Sequence, residues 1–357
     1  MESSYLPMVI YIFFMEKKIL LTGDRPTGKL HLGHYVGSLK KRVELQNDDN
    51  YKMFVMIADI QGLSDNGDNP EKVRNNILEV MLDYLAVGMD PEKITIFQQS
   101  HIRELMELTI YLSNLVSVPR LKRNPTIKTE ILYRGFGENI PLSFLMYPVS
   151  QAADITLFKT NFVPAGEDQE PIIELTCDLV KDFNRTFKDI LVEPQLMLSE
   201  NVYCRRLPGI DGNNKMSKSL GNAIFLSDDE KTLKERVKMM YTDPQHLRVE
   251  DPGHIEGNVP FIYLRALSNE KHFRDFLPDY KNLAEMEEHY TRGGLGDGTV
   301  KKFLTNVLLD LISPIRERRL KLQENMNDVR DLLHEGTMRA RNIAEINIQE
   351  IRDAIFG

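Results

Sequence analysis

The stretch Ile19–Tyr35 constrains this chain most, because an apolar run, a glycine-containing loop and a helix start follow one another within it. Ile19–Leu21 is apolar and predicts a short buried strand. Residues 22–28 contain two glycines, an aspartate and a proline, which are typical of a loop. Helical spacing of apolar residues begins after His34. A strand, a loop and a helix start in this order offer backbone N–H groups and a helix dipole to an anion.

Two histidines, His31 and His34, lie three residues apart where this helix is expected to start. At that spacing they can project to the same side and donate hydrogen bonds to phosphate oxygens. A metal-binding pair and a pair without function are the alternatives. A loop with glycine and proline after a strand is common, so this stretch alone makes phosphate binding only a hypothesis.

A second stretch, Lys215-Met216-Ser217-Lys218-Ser219, follows a glycine-containing loop at 209–214. Lysine is a compact charge with several N–H donors, which suits phosphate. The alternative is a solvated basic loop. His-Leu-Gly-His and Lys-Met-Ser-Lys-Ser, in this order, resemble the two signatures of class I aminoacyl-tRNA synthetases. The first differs from the usual His-Ile-Gly-His only by Leu32, an apolar exchange.

The composition limits the classes of function that are compatible with this chain. Its 357 residues allow one large or two ordinary domains, and 42% hydrophobic residues allow a sizeable core. The net charge of −8 means that any tRNA-binding surface must be a local basic patch. Cys177 and Cys204 form no CxxC motif, which argues against zinc, iron–sulfur and disulfide frameworks and fits a reducing cytoplasm.

The N-terminal segment Met8–Phe14 is apolar but far shorter than a membrane span. It has neither a basic region before it nor a small-residue cleavage site after it, so it is a poor signal peptide. We interpret Met15 as a plausible start and residues 1–14 as an extension, and we expect no membrane association.

Strands and helices alternate through the first part of the chain. Met53–Ala58 and Ile94–Phe97 are apolar runs that predict buried strands, and 71–87 has helical spacing closed by Gly88. The segment 59–70 is rich in Asp, Asn and Gly and is expected to be a loop. This alternation predicts a parallel α/β sheet, in which ligands bind at the carboxyl ends of the strands.

Residues 119–160 interrupt this alternation and are interpreted as an insertion. An apolar segment at its end carries Gln151 and Asp154, which share a face if the segment is helical. A strand at 161–165 and the sequence Gly-Glu-Asp-Gln at 166–169 follow, before a helix that is expected over 171–183.

Gln-Ala-Ala-Asp at 151–154 and Gly-Glu-Asp-Gln at 166–169 resemble the amino-acid subsite of tryptophanyl- and tyrosyl-tRNA synthetases. Similarity to the bacterial tryptophan enzymes runs from about Lys17 to the C-terminus. The intact Lys-Met-Ser-Lys-Ser also favours tryptophan, because bacterial tyrosine enzymes usually depart from it. Arg25 and Gln151 differ from well-known tryptophan enzymes and indicate a distinct branch.

From residue 228 onward the pattern is helical, and 293–298 is interpreted as a turn between helices. Basic residues cluster late in this region, and such a cluster is usually a solvated helix face. The resemblance instead implies a helical domain that binds the tRNA anticodon. The cluster consists of Arg316, Arg318, Arg319 and Lys321.

Taken together, these features predict an α/β fold. A Rossmann-like parallel sheet forms a catalytic domain with an inserted segment, and an all-helical C-terminal domain follows. We place the extension at 1–14, the catalytic domain at 15–224 with its insertion at about 119–160, and the anticodon-binding domain at 225–357.

The resemblance implies activation of L-tryptophan by ATP and transfer to tRNA(Trp), with Mg²⁺ bound through the ATP phosphates and no metal ligand from the protein. It also implies a cytoplasmic homodimer that binds no DNA. The catalytic residues that it implies are His31, His34, Lys215 and Lys218. The implied ATP-binding residues are Arg25, Pro26, Thr27, Gly33, His34, Gly166, Glu167, Asp168, Leu207, Lys215, Met216, Ser217, Lys218 and Ser219. The implied amino-acid-binding residues are Tyr147, Gln151, Asp154 and Gln169. Lys128, in the insertion, is expected to reach the phosphates when the site closes.

Three alternatives stay open from the sequence. One is a tyrosyl-tRNA synthetase of the same subclass. The second is a different adenylyl transferase with His-x-Gly-His, although such a chain would lack the long helical C-terminus. The third is an inactive relative that only binds tRNA, against which the intact histidines and lysines argue. For Asp154, a helix cap or a buried ion pair is the structural alternative to a role in substrate recognition.

Overall fold

The computed structural model describes residues 17–198, 207–212, 216, 217 and 220–357. Within them, five parallel strands form one sheet in the order β3-β2-β1-β4-β5. The strands are β1 (Lys18–Asp24), β2 (Tyr51–Ile57), β3 (Thr95–Gln98), β4 (Phe162–Pro164) and β5 (Gln195–Met197). The strand order reverses between β1 and β4, which creates the crevice where such folds bind ligands. The predicted Rossmann-like fold is confirmed.

Helices connect and cover the strands. The first part of the chain contains α1 (Leu32–His34), a π-helical turn (Tyr35–Leu39), α2 (Lys40–Leu45), α3 (Asp59–Asp65), α4 (Pro70–Val87), α5 (Arg103–Ser113), α6 (Val118–Arg123), α7 (Pro125–Arg134), α8 (Leu142–Leu157) and α9 (Glu170–Thr186). The later part contains α10 (Glu230–Lys238), α11 (Val259–Leu267), α12 (Glu270–Phe276), α13 (Leu283–Arg292), α14 (Asp297–Gln323) and α15 (Met326–Phe356).

The boundaries around the first loop differ from the prediction. Strand β1 pairs with β2 as far as Asp24, and the N–H of Ala58 then donates to the carbonyl of Asp24 at 3.0 Å. The helix begins at Leu32 instead of after His34. The loop therefore spans only residues 25–31, because ladder pairing and helix formation extend into residues whose local sequence is typical of turns.

The prediction of a loop over 59–70 was wrong for its first half, which forms α3. Asp59 lies in the first turn of this helix, where a negative charge suits the helix dipole. Its carboxylate accepts hydrogen bonds from the backbone N–H of Ser100 at 2.9 Å and from the Gln98 amide at 2.7 Å. Contacts with the end of β3 therefore stabilise a helix that the local composition did not indicate.

Both faces of the sheet are buried, as expected of a parallel sheet. On one face, β1 and β2 pack with α5, α8 and α9, and on the other face they pack with α4 and α14. Helix α15 contributes to both cores and lies along the edge strand β3. The backbone N–H of Gln98 donates to the Thr337 hydroxyl at 3.1 Å, so α15 covers this edge.

A third core lies between α10–α14 and the start of the first helix, where it includes Leu32 and Val36. The turn predicted over 293–298 does separate α13 from α14, but it spans only 293–296, because α14 begins at Asp297. Throughout the described ranges, no helix has the length and apolarity that a membrane crossing requires. The division into domains at residue 224 stays a prediction.

Candidate active site

The two histidines of the first motif lie side by side where the chain enters α1. Their ring centroids are 3.8 Å apart, and the N–H of His31 donates to Nδ1 of His34 at 3.2 Å. His31 is buried, whereas His34 is half-buried at the mouth of the loop. The structure therefore brings these side chains together at the carboxyl end of β1, where the sequence predicted them.

Gly33 lies in a space that a larger residue would not fit. A Cβ atom there would lie 3.0 Å from the His31 ring and 3.5 Å from the sulfur of Met216. The N–H of Gly33 points at the same sulfur, at 3.3 Å. The His-Leu-Gly-His motif is thus in direct contact with the buried methionine of Lys-Met-Ser-Lys-Ser.

Backbone hydrogen bonds also join the first motif and the residue before it to the segment that follows the second motif. The N–H of Leu32 donates to the carbonyl of Ile224 at 2.8 Å, and the N–H of Leu226 donates to the carbonyl of Leu30 at 3.2 Å. These bonds hold the segment after the second motif alongside the first. A substrate that contacts both motifs would therefore bind across this junction.

The second motif is described only in part, since Lys215, Lys218 and Ser219 lie outside the described residues. The N–H of Ser217 donates to the Asn222 side chain at 2.8 Å, and the N–H of Met216 faces the carbonyl of Leu207 at 3.4 Å. Leu207 is buried in the third core, so its side chain contributes to packing beneath the motif.

A buried ion pair fixes the start of the first loop. Arg42 donates to the Asp24 carboxylate at 2.6 Å, and the Tyr84 hydroxyl donates to the same oxygen at 2.8 Å. Burial by itself would raise the pKa of Asp24. The charges of Arg42 and His34 and these hydrogen bonds outweigh burial and lower that pKa from 3.8 to about 2. Asp24 is therefore ionised and anchored at physiological pH, and Arg25 follows it on the exposed side.

On the other side of the crevice, Gly166, Glu167, Asp168 and Gln169 follow β4. A short 3-10 helix over Glu167–Gln169 leads into α9, and Glu167 and Asp168 are exposed. The Thr22 hydroxyl donates to the carbonyl of Pro164 at 3.0 Å and holds β1 against β4. The segments predicted to bind ATP thus lie on both sides of the strand-order reversal.

The insertion reaches this rim through the junction of α6 and α7. The Asn124 amide donates to the carbonyl of Pro171 at 2.8 Å, and the Thr126 hydroxyl points at the carbonyl of Asp168 at 3.5 Å. Lys128 is exposed in the first half of the same helix α7. This position is compatible with the predicted phosphate contact.

Asp154 is buried in the middle of α8, beneath the carboxyl ends of β2 and β3. The Gln99 amide donates to both of its carboxylate oxygens at 2.9 Å, and the Gln61 amide donates at 3.3 Å. Burial raises the pKa of Asp154 from 3.8 to about 7, although these two amides act in the opposite direction. Asp154 is thus neither a helix cap nor, within the described part of the chain, a member of an ion pair.

The other predicted amino-acid contacts surround the same crevice. The Gln151 amide donates to the Gln169 side chain at 3.0 Å, which joins α8 to the loop after β4. Tyr147 is half-buried one turn earlier, and its ring lies edge-on to Phe144 with centroids 5.5 Å apart. The structure therefore brings together all four side chains that were predicted to bind the amino acid.

Comparison with known proteins identifies the family. The family model described as tRNA synthetases class I (W and Y) matches residues 15–312. The chain belongs to this family. It is 55% identical to the Tryptophan--tRNA ligase of Streptococcus mutans over 342 residues, which cover 96% of this chain and 98% of that protein. It is 54% identical over the same length to the Tryptophan--tRNA ligase of Lactococcus lactis.

Solved structures of the family share this architecture. The tryptophanyl-tRNA synthetase of Campylobacter jejuni, complexed with ADP and tryptophan, is 30% identical, with a TM-score of 0.79 over 94% of this chain and 99% of that chain. The enzyme from Mycoplasma pneumoniae is 25% identical, with a TM-score of 0.80 over 95% of this chain and 98% of that chain. A tyrosyl-tRNA synthetase from Archaeoglobus fulgidus, at 20% identity and a TM-score of 0.65, shares the fold.

As a W and Y family member, the chain was expected to present a basic helix face to tRNA, but one of the four side chains is directed inward. Arg319 is buried and pairs with Asp83 at 2.8 Å and with Glu79. Arg318 donates to the carbonyl of Ala86 at 2.6 Å. The expectation of one solvated or tRNA-binding face was wrong for Arg319, which α14 packs against α4, whereas Arg318 stays exposed.

Several polar residues in and behind this synthetase site escaped the sequence analysis. Gln99 directly follows β3, and a polar residue just past a buried strand was the available signal. Gln61 was missed because its segment was interpreted as a loop. Asp83 and Arg42 lie on helices, where a lone charge carries little information until its partner is known.

The donor set around the first loop suits an anion. It combines backbone N–H groups, two imidazoles and an exposed arginine, while the nearby carboxylate of Asp24 is already paired with Arg42. The part of the chain that the structure describes holds no group of three or more His, Cys, Asp or Glu residues arranged for a metal ion. A divalent cation carried by the nucleotide phosphates fits these residues.

Proposed function

We propose that this chain is a tryptophan–tRNA ligase, which activates L-tryptophan with ATP and transfers it to tRNA(Trp). The observation that carries the proposal is 55% identity with the streptococcal enzyme over nearly the whole of both chains. The solved structures also favour tryptophan over the tyrosine alternative, because the Campylobacter jejuni tryptophan enzyme is 30% identical to this chain and the tyrosyl enzymes from two archaea are 19–20% identical.

The reaction needs no nucleophile from the protein. The tryptophan carboxylate attacks the α-phosphate of ATP, the bond from that phosphorus to the bridging oxygen breaks, and pyrophosphate leaves with the electron pair. The adenylate then passes its tryptophanyl group to the 3′ end of the tRNA, and AMP leaves. Catalysis therefore consists of positioning and charge stabilisation.

The first motif supplies the phosphate side of this site. His31 and His34, with centroids 3.8 Å apart at the start of α1, would donate to phosphate oxygens, and Gly33 allows close approach. Lys215 and Lys218 would stabilise the charge that develops on the α-phosphate and on the leaving pyrophosphate. We expect Lys128 to join them from α7.

Nucleoside contacts come from both sides of the crevice. Arg25, Pro26 and Thr27 would line the nucleotide, and residues 166–168 would take the ribose. Met216, Ser217 and Ser219 would contact ATP beside the lysines. Since the Leu207 side chain is buried, we propose that this residue supports the adenine pocket through packing.

The amino acid would bind on the α8 side. A carboxylate accepts hydrogen bonds and the indole N–H donates one, so Asp154 would select a donor at the end of the pocket. Tyr147 and Gln169 would bind the ammonium group, with Gln151 holding Gln169 in place at 3.0 Å. Because shape must exclude tyrosine, the pocket has to be larger than a phenol requires.

Mg²⁺ would enter with ATP and supply charge neutralisation at the phosphates. The histidines and the two lysines face these phosphates in the proposal, and they act as hydrogen-bond donors to oxygen. No protein ligand to the metal is needed for this arrangement.

We further propose a cytoplasmic homodimer whose region 225–357 binds the anticodon, with no role for DNA or a membrane. Support for the dimer comes from apolar side chains that the insertion exposes, such as Leu132, Tyr133 and Leu142, which are 70–88% exposed. Apolar surface of this kind marks contact sites between proteins.

Pyrophosphate exchange into ATP with each of the twenty amino acids tests the proposal. We expect exchange that depends on tryptophan, followed by charging of tRNA(Trp). Exchange that depends on tyrosine would identify the other family branch. The absence of exchange with every amino acid would indicate an inactive relative.

A further inference from the structure

The end of the first loop is held from behind by a residue outside both motifs. The backbone N–H of Leu30, directly before His31, donates to Oδ2 of Asp83 at 2.7 Å. Asp83 lies on α4, and both residues are fully buried. This bond therefore fixes the position of the backbone directly before the His-Leu-Gly-His motif.

The other oxygen of Asp83 has a different partner. Nε of Arg319, on α14, donates to Oδ1 at 2.8 Å, and the same guanidinium contacts Glu79 one turn earlier on α4. Burial raises the pKa of Asp83, whereas the Arg319 charge and the Leu30 bond act to lower it. One carboxylate oxygen of Asp83 therefore accepts from the first loop, and the other accepts from α14.

The neighbouring residue on α4 holds the other end of the loop. The hydroxyl of Tyr84 donates to Asp24 at 2.8 Å, and Asp24 is the last residue of β1. Asp83 and Tyr84 are adjacent in sequence, so one turn of α4 fixes residues 24 and 30 together. The span of the loop is therefore set by α4 and not by the loop itself.

We propose that Asp83 is a positioning residue for nucleotide binding, because its carboxylate holds the backbone N–H of Leu30 directly before the His-Leu-Gly-His motif. This inference rests on the proposed function, in which residues 25–27 and the two histidines face ATP. It makes α4, which lies outside both motifs, part of the support of the nucleotide site. In this proposal Asp83 acts from behind the loop and touches neither the substrate nor the reacting atoms.

An ion pair that only stabilises the fold would have different consequences. Replacing a buried ion pair with apolar residues of similar size is often neutral for stability. Leu30 would nevertheless lose the acceptor for its buried N–H, because an apolar side chain cannot accept a hydrogen bond. Stability and nucleotide affinity can therefore be separated by the choice of residue at position 83.

The test compares two double variants of the full chain. Both Asp83→Leu/Arg319→Met and Asp83→Asn/Arg319→Met remove the ion pair, but only asparagine keeps an oxygen for Leu30. Its amide nitrogen lies one turn from Glu79, which can accept from it. KM for ATP, KM for tryptophan and the thermal midpoint are measured for each by pyrophosphate exchange and calorimetry.

We expect the leucine variant to show a KM for ATP about 10-fold higher than wild type, with the KM for tryptophan within about 2-fold. The asparagine variant should stay within about 3-fold of wild type for both. Equal KM values for ATP in the two variants would overturn the proposal, whatever their thermal midpoints.

The single variant Asp83→Asn covers the case in which the leucine variant does not fold. It keeps the acceptor but leaves Arg319 without its charge partner at this position, so it should melt lower while its KM for ATP stays near wild type. If this variant instead bound ATP about 10-fold more weakly, positioning through the acceptor would be contradicted. If wild type shows no exchange at all, the proposed function fails, and ATP binding by calorimetry on the same variants still decides the inference.

Discussion

The pKa values of two aspartates near the site, Asp24 and Asp154, are shifted in opposite directions, and their hydrogen-bond partners explain the difference. Asp24 has a guanidinium at 2.6 Å, which lowers its pKa to about 2 despite burial. Asp154 receives hydrogen bonds from neutral amides, which do not compensate its burial, so its pKa rises to about 7. One residue is a permanent anchor, and the other changes charge near physiological pH.

This shift predicts a pH dependence for tryptophan activation. Ionised Asp154 is the better acceptor for the indole N–H, so kcat/KM for tryptophan should rise with pH through about 7 and then level. The contribution of Asp154 to the free energy of unfolding has the opposite pH dependence. Because burial favours the protonated form, this contribution is fully present below about pH 4 and is lost as the pH rises through about 7. Steady-state exchange from about pH 5.5 to 9 measures the profile. Asp154→Asn should remove the step, and an unchanged step in that variant would assign it to another group.

The Asp24–Arg42 pair predicts a large stability effect. In Arg42→Met, Asp24 stays buried without its cation, which should cost about 3–5 kcal/mol in the free energy of unfolding. The control is Asp24→Asn/Arg42→Met, which removes both charges and should recover most of this loss. Urea unfolding near neutral pH provides the comparison. A single variant as stable as the double variant would show that the pair contributes little.

At this scale, the sequence predicted residues whose chemistry is visible locally. The histidine pair, Gln151 and Asp154 stood out through spacing or through charge in an apolar segment. Gln99 and Asp83 did not, because their importance comes from partners that lie far away in sequence. A sequence reports side-chain types, and the partners become visible only when the sheet brings strand ends together.

At the scale of elements, helix α15 packs unusually close to the edge strand β3. A Cβ atom on Gly336 would overlap the carbonyl oxygen of Ile96. Gly336→Ala should therefore shift α15 and destabilise the protein by about 1–3 kcal/mol. Gly298→Ala in α14 is the matched control, since nothing lies within 4 Å of its Cβ and it should be nearly neutral or stabilising. Thermal unfolding of both variants measures the difference. Equal midpoints would mean that α15 can shift without a loss of stability.

The second motif carries a prediction about catalysis. Lys218→Ala should reduce the rate of amino-acid activation by orders of magnitude, because a charge contact made in the transition state is worth several kcal/mol. Since the sequence predicts a loop with no packing role for this lysine, we expect the free energy of unfolding to change by less than about 0.5 kcal/mol. The rate of adenylate formation in a single turnover tests the expected loss of activity, and the thermal midpoint tests the expected unchanged stability. A wild-type rate in the variant would remove Lys218 from the mechanism.

The elements themselves were predictable where apolar runs were long. The runs at β1, β2 and β3 marked the buried strands, and their alternation with helices indicated a parallel sheet. Helix α3 was missed because its ends carry turn residues and its stability comes from contacts with the residues after β3. The π-helical turn Tyr35–Leu39 has no signal that we used, because its apolar residues also fit an α-helix.

At the scale of the whole molecule, the C-terminal helices are joined to the α/β part of the chain by a buried ion pair, a partly exposed ion pair and the packing of α15. Arg319 reaches Asp83, Arg352 pairs with Glu107 at 2.5 Å, and α15 covers β3. Helical periodicity predicted amphipathic helices in this region but not which surface they would cover. The family match was predictable because two short motifs and the amino-acid subsite occur in the right order.

The central claim is that the chain selects tryptophan and that the Asp154 carboxylate accepts a hydrogen bond from the indole N–H. The most direct measurement is kcat/KM in pyrophosphate exchange with tryptophan, tyrosine and phenylalanine, on wild type and on Asp154→Ala. We predict that wild type prefers tryptophan over phenylalanine by roughly 10⁴ or more, since phenylalanine leaves the carboxylate without a donor. Tyrosine should also be rejected, and Asp154→Ala should lose tryptophan activation while ATP binding persists. A wild type that prefers tyrosine, or a variant that keeps its preference for tryptophan, would contradict the account.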